Sequence, residues 1–192
     1  MRLAYGYLFP VIWLGWAAFW WLASRRVNAA ARREPWWSRL LHVLPLALAI
    51  VLLAVPALRI PVLDERFLAA AAWPFWTGVA LTAAGLLFTV WARLHIGMNW
   101  SGIVTIKQGH ELITSGPYAF VRHPIYTGIL LALAGSALAN GQWRGILALG
   151  IACWALWRKL RLEERWMQEQ FGEAYRAYSR RTPALIPFRF SA

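Results

Sequence analysis

The residue types able to do chemistry gather in two places. One is the polar stretch His110-Glu111-Leu112-Ile113-Thr114-Ser115-Gly116-Pro117-Tyr118, continued by Arg122-His123-Pro124-Ile125-Tyr126-Thr127-Gly128; the other is the pair Glu163-Glu164. Gly116-Pro117 reads as a turn, because Pro fixes φ and Gly tolerates conformations that other residues avoid. His123 precedes a proline, so its backbone is pushed out of the α region, and Pro124 suits the first position of a helix beginning near Ile125. That places Arg122 and His123 at a helix mouth, where free N–H groups and the positive end of the dipole favour an anion. At ~100° per residue both Glu163 and Glu164 fall within or beside an apolar helix face, near Met167 and Phe171. An unpaired carboxylate there would cost several kcal/mol, so each needs a partner.

Several chemistries are excluded by pattern. His110 and His123, with the lone interfacial histidines His42 and His95, match no zinc spacing and have no cysteine pair beside them. No Gly-x-Ser-x-Gly elbow, phosphate loop or strand-borne Gly-x-Gly-x-x-Gly occurs, so a cofactor must be held in another way. An ordinary interfacial loop also carries Tyr, Arg and His. The two acids on an oily helix face separate this chain from that bland case.

The elements that must position these groups are oily. Of 192 residues 60% are hydrophobic, mean hydropathy is +0.46 and only 15% are charged, against ~25% charged in a soluble domain. The formal charge of +12 comes from arginines clustered beside apolar runs, which fits the positive-inside rule and anionic membrane lipids rather than nucleic acid. Cys153 stands alone inside an apolar run and is expected to pack there. The first apolar run is long and ends in arginines, so no cleavable signal peptide is evident.

Apolar runs at 3–23, 40–58, 67–92, 125–139 and 145–157 predict about five transmembrane helices, the last two forming a short hairpin through Asn140-Gly141-Gln142-Trp143. Pro45 and Pro56 kink or bound the second span, and Pro74 lies in the first turn of the third. The arginine distribution predicts the amino end outside, with the long loop and the tail in the cytoplasm. Residues 158–178 predict an amphipathic tail helix, with Leu160, Met167, Phe171, Ala174 and Tyr178 on one face and Arg165, Glu169, Glu173 and Arg176 opposite. Gly172 is a possible break, and Pro183 and Pro187 lie beyond the helix. The expected architecture is therefore an all-α, multi-pass membrane protein. Its first region, 1–92, is transmembrane helices; its second, 93–192, carries the polar loop, the hairpin and the tail helix.

The second region resembles the isoprenylcysteine carboxyl methyltransferase family, integral membrane enzymes related to the phospholipid methyltransferases. The resemblance is carried by His110 to Tyr118, Arg122 to Gly128, Glu163-Glu164, Phe171-Gly172-Glu173-Ala174-Tyr175 and Pro183-Ala184-Leu185-Ile186-Pro187, in the family's order and at about its spacing. It implies methyl transfer from S-adenosylmethionine, with the active site at the cytoplasmic face and a lipophilic or lipid-modified substrate reaching it from the bilayer. It also implies cofactor contacts from His110, Glu111, Leu112 and Ile113, from Tyr118, from His123, Pro124, Ile125 and Tyr126, and from Glu163, which leaves Glu164 as the partner of a loop arginine such as Arg122. The family's substrate-binding arginine aligns with Lys159, with Arg161 nearby; these two and His123 are the expected catalytic groups. A carboxylate acceptor, as in a prenylated cysteine, needs no general base, whereas an amine or thiol must also lose a proton, for which a neutral histidine is a possible acceptor. A phospholipid amine, a thiol and a non-catalytic binding role remain the alternatives.

Overall fold

A computed structural model describes residues 2–25, 30–55, 59–100, 105–107 and 112–187. His110, Glu111 and Pro56 lie outside the described residues. The elements are α1 (Arg2–Ala23), β1 (Ala30–Arg33), α2 (Trp36–Ala54), α3 (Pro61–Asp64), α4 (Ala72–Ile96), β2 (Thr105–Lys107), α5 (Pro117–Phe120), α6 (Pro124–Asn140) and α7 (Trp143–Arg181). The protein is helical, and α1, α2 and α4 are long and apolar enough to cross a membrane, with α6 shorter but also apolar. It is an integral membrane protein.

Helices α4 and α6 form the tightest pair. A Cβ added at Gly85 would lie 2.5 Å from the Gly128 carbonyl oxygen, and one at Gly128 would lie 2.5 Å from that of Gly85. Only bare glycine lets two backbones approach so closely, as small residues do between membrane helices. Thr82 donates to the Ala132 carbonyl at 3.1 Å across the same seam. Helix α1 leans on this pair through Phe9, whose ring meets Phe75 edge-on at 6.1 Å. It also donates the Trp16 indole N–H to Thr89 at 2.6 Å and that of Trp13 to Ser136 at 3.2 Å, so these indoles are satisfied without water. On the other side α2 packs on α7 through Ala49, Leu52, Ala148 and Ala152, with Leu133 of α6 completing the cluster. Far from the polar loop, Arg144 pairs with Asp64 at 3.1 Å, and the Gln142 side-chain amide donates to the Asp64 carbonyl at 2.8 Å.

Several sequence expectations need correction. The last apolar run and the tail are one element: α7 runs from Trp143 to Arg181, with a single non-helical residue at Gly172 (φ 51°, ψ −122°). Nothing between 157 and 158 interrupts the backbone hydrogen bonding, so a change from apolar to charged side chains does not end a helix. The turn at Gly172 resets the helix phase, so that Tyr175 is buried and Ala174 exposed. The expected polar face of Arg165, Glu169, Glu173 and Arg176 is exposed as read. The second helix begins at Trp36 and keeps Pro45 inside it; the third runs from Ala72 to Ile96 with Pro74 in its first turn. Cys153 is exposed rather than packed, on a face of α7 turned away from its neighbours. Finally, β1 and β2 pair antiparallel, Ala30 opposite Lys107 and Arg33 opposite Thr105, with an irregularity between Ala30 and Arg32. Two basic, turn-rich segments gave no alternating pattern from which to read that ribbon.

Candidate active site

The site begins at the turn before α5. Gly116 has φ 59°, and a Cβ there would meet the His95 ring at 2.6 Å, so glycine is required both by conformation and by space. His95 reaches Ser115 Oγ at 2.9 Å and stacks on Tyr118, centroids 6.4 Å apart. It is thus no lone interfacial histidine: it holds the turn that presents Tyr118. Tyr118 is buried, and burial first, then the Glu163 charge, push its phenol well above the ordinary value. The Tyr178 hydroxyl donates to the Tyr118 carbonyl at 2.6 Å; burial pushes its own phenol up to about 12, so it remains a donor at neutral pH.

The chain is then extended through Val121, and α6 starts at Pro124 with His123 before it (φ −124°, ψ 62°), as the His-Pro dipeptide requires. The segment after α7 straps this corner. Arg122 N–H donates to the Pro183 carbonyl at 2.9 Å and His123 N–H to that of Ala184 at 3.0 Å. The Thr127 hydroxyl reaches the Leu185 carbonyl at 2.7 Å. The two N–H groups just ahead of α6 are therefore used by the tail and are not offered to an anion.

Four ionisable side chains and a phenol then converge. Arg122 donates Nε and Nη2 to Glu164 Oε1 at 2.8 and 2.5 Å, and Nη1 to the Thr182 carbonyl at 2.5 Å. His123 Nε2 lies 3.2 Å from Glu164 Oε1, and its Nδ1 lies 3.6 Å from Glu163 Oε2. The Tyr126 hydroxyl donates to Glu163 Oε1 at 2.5 Å, and its ring lies parallel to that of His123 at 5.4 Å. Lys159 Nζ sits over the Tyr126 ring, 5.3 Å from its centre. Burial opposes the charge on His123, yet hydrogen bonds to Glu163 and Glu164 raise its pKa above the ordinary imidazole value. Burial likewise opposes the charge on both acids. His123 outweighs it, aided by Lys159 and Tyr126 at Glu163 and by Arg122 at Glu164, so both carboxyls lie below the usual range.

Of the residues read from sequence, Tyr118, His123, Pro124, Tyr126, Glu163 and Lys159 come together here. Leu112 and Ile113 are half-buried on the approach to the Gly116 turn, and Ile125 packs with the cluster of Tyr126, Leu156 and Leu160. Arg161 is exposed, its guanidinium 5.8 Å from the centre of the Trp157 ring. Sequence reading missed the strap, His95 and a polar cluster on α2. In that cluster His42 is buried beside Glu34, Ser38 and Arg158. The polar residues Glu34, Ser38 and His42 recur every fourth position, Ser38 and His42 on one face of α2 and Glu34 two residues before it, and that spacing was a usable signal.

The phospholipid methyltransferase family model matches residues 73–174, more than half of the chain, including Tyr118, Arg122, His123, Tyr126, Lys159, Glu163 and Glu164. The chain belongs to the phospholipid methyltransferase family. Among curated members and relatives, it is 31% identical over 99 residues to the protein-S-isoprenylcysteine O-methyltransferase of Schizosaccharomyces pombe, covering 50% of this chain and 42% of that protein. The enzyme of the same name from Rattus norvegicus is 33% identical over 129 residues, 60% of this chain and 45% of the relative. The cobalt-zinc-cadmium resistance protein CzcN of Cupriavidus metallidurans is 30% identical over 114 residues, 58% of this chain and 51% of the relative. The chain thus spans about half the length of these relatives. The matches bear out the resemblance carried by the motifs. Helices α1 and α2 lie outside the stretch that the family model covers.

Proposed function

We propose that this phospholipid methyltransferase family member transfers a methyl group from S-adenosylmethionine to a lipophilic acceptor in the membrane, with a prenylcysteine-like carboxylate as the first candidate. The observation that carries this is the corner where Arg122, His123, Tyr126 and the two acids meet. Glu164 is taken up by Arg122 and His123, whereas Glu163 keeps acceptor capacity. Its Oε1 receives Tyr126, but among the described residues its Oε2 has only His123 at 3.6 Å, and the side chain is 23% exposed. A carboxylate with a spare oxygen, beside aromatic rings and the apolar Leu112 and Ile113, fits a ligand that carries hydroxyls, an amino group and a sulfonium. Glu163, Tyr126, His123 and Tyr118 would hold the cofactor, with the further contacts from His110 to Ile113 that the family resemblance implies. The bound cofactor supplies an electrophilic methyl group on a cationic sulfur.

The protein's part is alignment, exclusion of water and charge balance. An ionised carboxylate needs no proton acceptor, but stripping water from it requires a cation, and Lys159, on the Tyr126 ring, is the first candidate. Arg161, on the exposed face, is the second. The membrane arrangement that accompanies this reading has five spans: α1, α2, α4, α6 and the first half of α7. The amino end is outside and the site at the cytoplasmic face. The curated names of the isoprenylcysteine relatives support the carboxylate acceptor, while the family's own description keeps an amine in view.

Two measurements test the reading. Calorimetry of the purified, folded protein with S-adenosylmethionine should show saturable binding. A labelled methyl-transfer assay should then give base-labile product with a prenylated cysteine analogue, set against an aminophospholipid and a small thiol. Absence of cofactor binding would remove the enzyme reading. Transfer to the amine or thiol alone would replace the carboxylate and leave the cofactor site in place.

A further inference from the structure

Helix α2 brings a second polar cluster to the edge of α7. The Ser38 hydroxyl donates to Glu34 Oε1 at 2.6 Å and accepts Arg158 Nη2 at 2.9 Å. Arg158 Nη1 donates to the Ser38 carbonyl at 3.0 Å and lies 3.3 Å from His42 Nδ1. A guanidinium can only donate, so His42 Nδ1 is the acceptor, and the ring proton sits on Nε2, facing Glu34 Oε2 at 3.7 Å. Glu34 lies 3.8 Å from Arg158 Nη1. The guanidinium is therefore gripped at Nη1 and on one side of Nη2: Ser38 and His42 of α2 are buried, and the side chain of Glu34, two residues before α2, is fully covered.

Donor counting shows what is left. A guanidinium has five N–H groups, and three contacts are made here, two from Nη1 and one from Nη2. Nε–H and the second Nη2–H have no partner among the described residues. These two are adjacent and parallel, the fork that receives the two oxygens of one carboxylate or phosphate. The Arg158 side chain is 26% exposed, so it is not sealed between the helices. The side-chain entropy that usually opposes ion pairing has already been lost to the α2 contacts. The position suits an amphiphile. Arg158 lies five residues before Glu163, ~7.5 Å nearer the apolar half of α7 at 1.5 Å per residue. Exposed Trp36, Trp37, Trp154 and Trp157 stand on the same two helices, as at a membrane boundary.

We infer that Arg158, held by Glu34, Ser38 and His42, is an oxyanion site for a molecule dissolved in the membrane, its ligand either the acceptor's carboxylate or a lipid phosphate. The acceptor arm rests on the function proposed above; the lipid arm does not. Lys159 faces Tyr126 and the cofactor corner, whereas Arg158 faces α2, so the two neighbouring cations have separate tasks. Ser38 and His42 are positioning residues and touch no ligand themselves.

The test uses the full chain in nanodiscs. A prenylcysteine analogue is compared with its carboxamide, and phosphatidylglycerol with phosphatidylcholine, by direct binding. Arg158→Lys keeps the charge and removes the fork, and should erase roughly tenfold or more of the preference for one of the two anions, the loss expected of a charge-assisted bond. S-adenosylmethionine affinity should be unchanged. Ser38→Ala, which releases the guanidinium but leaves its charge, should lower the same preference, and Ser38→Thr should restore it. If Arg158→Lys does not fold, the Ser38 pair decides. Loss of the acid-over-amide preference, with KM for the acidic acceptor raised and kcat held, assigns the fork to the acceptor. Loss of the phosphatidylglycerol preference assigns it to a lipid and stands even if no methyl transfer is found. Retention of both preferences in the variants, or their absence in the wild type, overturns the proposal.

Discussion

Glu163 and Glu164 are adjacent in sequence yet differ in what surrounds them. Glu164 Oε1 receives two Arg122 donors and lies 3.2 Å from His123 Nε2, while Glu163 receives one phenol and lies 3.6 Å from His123 Nδ1. Glu163→Gln should therefore weaken S-adenosylmethionine binding by about 1.5–3 kcal/mol, the value of a charge-assisted hydrogen bond, with little loss of folded protein; calorimetry measures it. Glu164→Gln should lower folded yield and melting temperature more than affinity, because it strands Arg122 and His123 in a half-buried corner. Equal small effects on affinity would mean that neither acid meets the cofactor. The same residues set a pH dependence. The raised imidazole of His123 stabilises the fold fully below its ordinary value of 6.5 and loses that contribution as pH rises through its higher folded value. The two lowered carboxyls contribute above their ordinary value of 4.5 and lose it as pH falls through their lower folded values. Melting in detergent should thus be highest between the two ordinary values and decline on both sides. His123→Asn should flatten the alkaline decline and leave the acid limb, driven by Arg122–Glu164, partly in place.

At the scale of elements, the corner depends on three segments remote in sequence: the turn before α6, the upper part of α7 and the strap at 182–187. Thr127 is where the strap is nailed, donating to the Leu185 carbonyl at 2.7 Å. Thr127→Val keeps the shape and removes the donor, so it should cost about 0.5–1.5 kcal/mol. A lower melting temperature and faster proteolysis after Arg181 would register it; unchanged cleavage would mean that the strap is held elsewhere. Gly172 was readable as a break. Its consequence, the exchange of Ala174 for Tyr175 on the buried face, was not, because a positive φ shifts the phase of everything after it. The continuity of α7 was hidden for a related reason. Side-chain polarity reports the solvent around a helix and says little about its backbone.

For the whole molecule, the testable matter is which side faces which solvent. Single cysteines at Ser24, Ser115 and Ser191 should be protected from an impermeant thiol reagent in intact cells, and one at Gln142 should label. Cys153 is exposed and has to be replaced first. Labelling at Ser115 from outside would invert the arrangement. The packing also joins the two sequence regions: α2 of the first lies on α7 of the second, and α4 lies on α6. The amino-terminal helices therefore furnish one wall of the region that the motifs mark.

The sequence alone determined what depends on composition and on neighbours along the chain. Its hydropathy requires helices in a bilayer, because apolar segments there must satisfy their own backbone hydrogen bonds. Gly116-Pro117 and His123-Pro124 require a turn and a helix start, because φ restrictions act locally. That Glu163 and Glu164 need partners was also legible, since a carboxylate on an oily face has few stable fates; which of the two takes Arg122 came from the family resemblance. What only the tertiary structure decided depends on which helices are neighbours. His42 and His95, equally plain in sequence, became a buried partner of Arg158 and the support of the Gly116 turn. The glycines of α4 and α6 became a seam, and Arg158 rather than its neighbours came to face α2. Hydropathy selects a helix face for burial but not the helix that covers it. That choice is made by close packing and by the matching of a few polar side chains across the interface.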